Sequence, residues 1–182
     1  MKESGVDQLS DESLMKRVGD SDDAAAFAEI FRRYAQRLNG YFLRSTGDPH
    51  ASQDLVQQTF LHLHRARRDY NAKRPLRPWL YTIAANMRRM HHRRAHRKPE
   101  VAYEEVHEQS VGPQASTMEQ RTVRRAILQL PENQRDVLIL HWYEGMSMAE
   151  VGQILGASTS AVKVRAHRAY KALQGLLGGS HD

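Results

Sequence analysis

The chain has 182 residues, no cysteine, a formal net charge of +6 and a pI of about 9.8. That length allows one medium domain or two small ones, the lack of cysteine excludes a thiolate nucleophile, a disulfide scaffold and a thiolate zinc finger, and the basic balance suits a polyanionic partner. No apolar run approaches the roughly 20 residues of a bilayer-crossing helix, and residues 1–11 lack the apolar core of a signal peptide, so the expected location is the cytoplasm, with no direct membrane contact.

Residues 1–10 read as frayed. Ser10 is placed to cap a helix with Asp11 and Glu12 in its first turn. That helix carries Leu14, Met15 and Val18 and is expected to stop near Gly19. Ser21-Asp22-Asp23 starts a long second helix, on which Phe27, Ile30, Phe31, Tyr34, Leu38, Tyr41 and Phe42 recur at helical spacing. Gly47-Asp48-Pro49 breaks it. The third helix is expected over residues 50–67, roughly 27 Å long, with Ala51, Leu55, Val56, Thr59, Phe60 and Leu63 as its apolar stripe. Asp54, Gln57, Gln58, Leu61 and Arg65 fall on other faces. Leu61 is therefore either a contact for another protein or packed on the N-terminal helix. After a loop over residues 69–75, Pro78 suits the first turn of a fourth helix. Its packing side is Trp79, Leu80, Ile83, Ala84 and Met87. Residues 88–98 then turn basic, and this far end is expected to project from the body until Pro99 stops it. Lys and Arg outnumber Asp and Glu by 12 to 2 across residues 61–100, so the excess charge is one patch that phosphates would neutralise.

Residues 99–117 are rich in Glu, Ser, Gly, Pro and Gln and read as a mobile linker. Helix resumes near Thr117 or Met118, with Val123, Ile127, Leu128 and Leu130 inward. Residues 130–143 read as one helix, opened by Pro131 and Glu132, with Ile139 and Trp142 widening its apolar stripe, and ended by Gly145. Ser147 and Glu150 form a capping box for a short helix carrying Met148, Val151, Ile154 and Leu155. Gly156 marks a turn. Ser158 or Thr159 caps a last helix with Ala161, Val162, Val164 and Ala169 on its apolar positions and Lys163, Arg165, His167, Arg168 and Lys171 on or near its exposed side. This is the grammar of a helix-turn-helix whose final helix starts with Thr159, Ser160 and Lys163, the end that enters a major groove. A solvated basic face on a packing helix is the plainer alternative. Residues 178–182 read as a disordered tail.

The ten histidines raise the question of a metal. His92 and His96 are four apart, a spacing that can hold zinc. No acidic neighbour completes a shell there, and flanking arginines repel a dication, so no metal is expected. No glycine-rich phosphate loop follows a strand, and no Ser/His/Asp arrangement suggests a nucleophile. Neither catalysis nor a cofactor is expected.

Two motifs in order carry a resemblance. Gln53-Asp54-Leu55-Val56-Gln57-Gln58-Thr59-Phe60 followed by Trp79-Leu80-Tyr81-Thr82-Ile83-Ala84-Ala85-Asn86, and then Leu130-Pro131-Glu132-Asn133-Gln134-Arg135 with Glu144-Gly145-Met146-Ser147-Met148-Ala149-Glu150-Val151, resemble bacterial RNA polymerase sigma factors of the extracytoplasmic-function type. The resemblance implies an all-α chain of two small helical domains, regions 2 and 4, on a flexible linker. It implies a contact with the clamp helices of the polymerase beta-prime subunit through Asp54, Gln57, Gln58 and Leu61. It implies a surface for the promoter −10 element on Trp79, Asn86, Arg88, Arg89, His92, Arg93, Arg94 and Arg97. It also implies −35 contacts from Thr159, Ser160, Lys163, Arg165, His167 and Arg168. Further implied partners are the polymerase beta flap and a cognate anti-sigma factor, often membrane-bound. Two positions depart from the region 2 pattern, Ala85 where Arg is usual and Met90 where Asp is frequent, and in region 4 Ser160-Ala161 stand where a Gly-Thr pair is often found.

The expected organisation is an N-terminal extension over residues 1–23, region 2 over 24–98, the linker over 99–117, region 4 over 118–177 and the tail. Two readings compete with a sigma factor: a regulator that binds duplex DNA alone as a dimer, and an adaptor that holds polymerase without reading DNA.

Overall fold

The computed structural model describes residues 5–97 and 118–178, with backbone alone for 96 and 97. The expected linker over 99–117 and residues 179–182 of the expected tail lie outside the described residues. After a short 3-10 turn, Val6–Gln8, helix α1 runs Asp11–Ser21, with the Ser10 hydroxyl accepting from the Ser13 N–H at 3.2 Å. It does not stop at Gly19 but continues to Asp22, whose φ of 54° closes it. Gly19 has a different purpose. A Cβ there would lie 2.8 Å from the Arg67 carbonyl oxygen, so the glycine admits the loop after the third helix.

Asp23 caps α2, Ala24–Thr46, by accepting from the Ala25 and Ala26 N–H groups. Gly47, at φ 77°, ends it, and Asp48 with Pro49 starts α3, Pro49–Arg65, so two caps back to back make a tight helical hairpin. Ile30, Tyr34, Leu38, Tyr41 and Phe42 of α2 and Leu55, Phe60 and Leu63 of α3 are buried. The Phe60 ring stands edge-on to Phe27 at 6.1 Å and tilted against Phe31 at 4.7 Å. Helix α4, Leu76–Arg97, closes this bundle with Leu76, Leu80, Tyr81 and Ala84, and its first N–H is anchored by Glu12 Oε1 at 3.1 Å.

The C-terminal half comprises α5 (Met118–Gln129), α6 (Glu132–Leu138), α7 (Met148–Leu155) and α8 (Thr159–Gly178). The single helix expected over 130–143 is present from Glu132 to Tyr143 but changes type along its length. Leu130 and Pro131 precede α6, and the chain passes from α6 into a π turn, Ile139–Tyr143, closed by the Glu144 N–H on the Ile139 carbonyl at 3.0 Å. The extra residue per turn rephases the end of the helix. Trp142 consequently stands outside the apolar stripe, 58 % exposed, while Glu144 turns inward and is buried. Gly145 and Gly156 have positive φ, and the Ser147–Glu150 capping box opens α7. Gly152 permits the tight turn into α8: a Cβ there would lie 2.7 Å from the Ala157 carbonyl oxygen.

The two halves share one apolar core. The end of α2 is the seam: Arg135 donates to the carbonyls of Ser45 at 2.7 Å, Leu128 at 2.5 Å and Leu130 at 3.0 Å, and Leu128 Cδ1 lies 2.9 Å from where a Cβ on Gly47 would be. Helix α4 also packs along α7. No helix among the described residues is long and apolar enough to cross a membrane.

Candidate nucleic-acid interface

Three surfaces carry the residues singled out in the sequence. On α3, Asp54, Gln57, Gln58 and Leu61 are all exposed, on the side opposite Leu55, Thr59 and Leu63. Leu61 is 49 % exposed and stands outside the buried core. An apolar side chain flanked by an acid and two amides is a surface suited to a protein partner.

On α8 the helix-turn-helix presents its basic residues outward. Thr159, Ser160, Lys163, His167 and Arg168 are exposed, and Arg165 is half-buried. Val162 and Ala169 are wholly buried, which fixes the helix on α6 and α7 and sets the opposite side outward. The Ser158 hydroxyl caps α8 through the Ala161 N–H at 3.2 Å. Val164, expected as apolar packing, is 50 % exposed.

Helix α4 is arranged differently. Asn86, Arg93 and Arg94 are exposed, and Trp79 is half-buried with its ring 5.0 Å from that of Tyr70. Arg88, in contrast, is buried at 2 % exposure. Its Nη2 lies 2.5 Å from Asp136 Oδ2 and 2.7 Å from Glu132 Oε1, both on α6. His92 Nδ1 is 3.2 Å from Glu132 Oε2, and Arg89 donates to the Ile154 carbonyl at 3.4 Å. The basic run thus does not project as a whole. Arg88, Arg89 and His92 are folded against the C-terminal half, whereas Arg93 and Arg94 are exposed. The side chain of Arg97 lies outside the described residues. His92, half-buried beside Arg93, lines an open cleft of about 530 Å³ with Arg88, Arg89, Glu132, Asn133 and Arg165.

The acidic side of this seam was not singled out in the sequence. Burial pushes the Asp136 carboxyl up to about 6, against the pull of Arg88. Glu144 accepts from the Tyr81 hydroxyl at 2.5 Å, lies 3.3 Å from Arg44 Nη2, and its carbonyl accepts from Arg77. The signal for Asp136 was present. Leu140, a core residue, is its i+4 neighbour, so a carboxylate at 136 shares the buried face and needs a cation from elsewhere.

Among known proteins, residues 30–98 match the family described as Sigma-70 region 2, and residues 120–173 the family described as Sigma-70, region 4. The RNA polymerase sigma factor CarQ of Myxococcus xanthus is 35 % identical over 158 residues, covering 84 % of this chain and 90 % of CarQ. The ECF RNA polymerase sigma factor SigL of Mycobacterium tuberculosis is 31 % identical over 160 residues, covering 84 % of this chain and 89 % of SigL. The structure of CnrH in complex with the cytosolic domain of CnrY superposes with a TM-score of 0.73 at 28 % identity, covering 93 % of this chain and 98 % of that one. With both matched regions in order, on a frame that is helical among the described residues, the chain belongs to the extracytoplasmic-function group of the sigma-70 family of RNA polymerase sigma factors.

Proposed function

We propose that this sigma factor, which directs promoter recognition by RNA polymerase, divides its work among the three surfaces described above. The face of α3 bearing Asp54, Gln57, Gln58 and Leu61 engages core polymerase. The start of α8, with Thr159, Ser160, Lys163, Arg165, His167 and Arg168, reads the −35 duplex. Helix α4, with Trp79, Asn86, Arg88, Arg89, His92, Arg93, Arg94 and Arg97, receives the −10 element. The organisation we assign is region 2 over residues 24–98 and region 4 over 118–177, with residues 1–23 as an extension whose α1 packs into the region 2 core.

The chemistry is binding rather than catalysis. Arginine and lysine neutralise phosphates, and a few base-edge contacts from the start of α8 select sequence. Strand separation at the −10 element costs roughly 1.4 kcal/mol per base-pair step in stacking, offset by captured unstacked bases and phosphate contacts. A protein partner that restrains the chain is part of the same reading, since the similar CnrH is bound by the cytosolic domain of CnrY; an anti-sigma factor is that class of partner, and the polymerase beta flap is a further contact for region 4. The place of action is the cytoplasm, where polymerase and promoter meet.

The observation that carries this division is the outward basic start of α8, together with a second basic helix, α4, on which Arg93 and Arg94 are exposed. The test is run-off transcription with core polymerase on genomic fragments. Discrete start sites that appear only when this protein is added support the reading. Tight binding of the chain alone to a two-fold symmetric operator, with no start-site selection, overturns it.

A further inference from the structure

Helix α8 exposes one side chain that phosphate neutralisation does not use. Thr159, Ser160, Lys163, Val164, His167 and Arg168 are exposed, and Val164, at 50 %, is the one apolar side chain of that set. We propose that Val164 is a specificity-determining residue: it packs on the 5-methyl group of a thymine in the major groove of the −35 element and rejects the other bases at that position. This rests on the assignment of α8 to the −35 duplex and adds to it the base that one position reads.

The packing of α8 sets where Val164 points. Val162 and Ala169 are wholly buried and hold the helix on α6 and α7. At about 100° per residue, Val164 lies within about 30° of the direction opposite those two. Ser160, one turn before it, and Arg168, one turn after it, continue the same exposed stripe. Val164 is also close to the start of α8, about 7.5 Å along the axis from Thr159. It therefore belongs to the end of the helix that enters a major groove.

A single exposed valine on an ordinary surface needs no account. Here the fold draws little from it. A β-branched residue in a helix loses rotamer freedom against the preceding turn, and a half-exposed one recovers only part of that by burial. It neither donates nor accepts a hydrogen bond. Its neighbours Lys163, His167 and Arg168 are exposed and suited to phosphates, so a helix that they draw into the groove presents the valine to base edges. On that edge the four bases differ in donors and acceptors, and thymine alone adds a methyl group. An isopropyl group against that methyl takes apolar surface of both out of water. Against the acceptors of guanine or the amino groups of adenine and cytosine it desolvates a polar atom and gives it no partner. One side chain thus attracts one base and repels the others, which is how a specific interface discriminates.

The test removes the methyl group and nothing else. Holoenzyme assembled from the full chain and core polymerase selects upstream elements from duplex DNA randomised over that region. Each thymine of a selected element is then replaced in turn by deoxyuridine, which keeps every hydrogen-bonding group, and binding is measured for the parent and for Val164→Ser. At one thymine the replacement should weaken parent binding about fourfold, the share of one buried methyl group. Val164→Ser should bind the thymine and uracil duplexes equally there and discriminate less against the other bases at that position. Lys163→Ala should weaken every duplex by one common factor and keep the uracil effect. Thermal unfolding of Val164→Ser should match the parent, as for other exposed substitutions.

A selected element without thymine, a uracil scan with no effect in the parent, or a uracil effect that survives in Val164→Ser each overturn the inference. So does a uniform loss across all sequences in Val164→Ser, the mark of a purely structural role, and so does a failure to select any element. The two readings fail separately. If Lys163→Ala weakens duplex binding while Val164→Ser leaves base preference unchanged, α8 reads the −35 element without Val164. If the chain selects a duplex alone and not with polymerase, the assignment of α8 to a −35 contact made within holoenzyme falls, and the same uracil scan on that duplex decides Val164.

Discussion

Helices α4 and α8 look alike in sequence and behave differently in the fold. Each carries a basic side, of arginine and histidine on α4 and of arginine, lysine and histidine on α8. On α8 that side meets water: Lys163, His167 and Arg168 are exposed over buried Val162 and Ala169. On α4 the leading arginine is buried against Asp136, and the side turned to α6 and α7 is spent on protein contacts. A basic run shows that positive charge is concentrated. It does not show whether phosphate or carboxylate neutralises it, because both are answers to the same Coulombic demand.

The contrast breaks most sharply under alanine substitution of one cation from each helix. Arg88→Ala leaves Asp136 buried without its cation, and removal of one member of a buried pair costs about 3–5 kcal/mol. Urea denaturation of the full chain should show that loss. Lys163→Ala should change stability by less than about 0.5 kcal/mol, as exposed substitutions do. Equal effects at the two sites would mean that burial does not separate them.

Next in size is a backbone test of what holds α8 in place. Gly152→Ala puts a Cβ 2.7 Å from the Ala157 carbonyl oxygen, an atom that no rotamer change can move. Overpacking of this kind costs about 1–3 kcal/mol. The displacement falls on the turn that aims α8, so −35 duplex binding should fall along with thermal stability. Lys163→Ala should weaken duplex binding with stability intact, and if Lys163 meets a phosphate the log–log salt slope should shrink by about 1. A salt titration of the two variants distinguishes a misaimed helix from a missing contact.

Much of the helical frame could be read directly from residues. Ser10, Asp23 and the Ser147–Glu150 box cap the helices expected to start there, and Gly145 and Gly156 adopt the positive φ that their places after helices implied. These features act within a few residues, so a local pattern contains them. What could not be read depends on chain that arrives from far away. Gly19 looked like a stop because the Arg67 carbonyl that needs its space is remote in sequence. The pairing of Arg88 with Asp136 could not be read because the two lie 48 positions apart. The π turn escaped because one extra residue per turn leaves the apolar pattern of residues 137–140 unchanged and shows only in the directions of Trp142 and Glu144.

The smallest expected effect is a pH dependence that places two carboxylates on opposite sides. Glu29 of α2, gripped first by Arg32 and then by Arg33, is held down at about 2. Its contribution is present above its ordinary value of 4.5 and is lost as pH falls through about 2. Asp136 runs the other way. Burial raises it from 3.8 to about 6, so its contribution to the closed fold is complete below 3.8 and is lost as pH rises through about 6. The groups that face it are Arg88 and Arg89 from α4, Glu132 and Arg135 from α6, and Tyr41 from α2. His92 also faces Glu132 at 3.2 Å, so the difference between parent and Asp136→Asn is the quantity to measure. The parent should gain stability relative to that variant as pH falls from 7 to 5. A constant difference across that range would mean that Asp136 stays ionised in the closed seam, with Arg88 fully offsetting its burial.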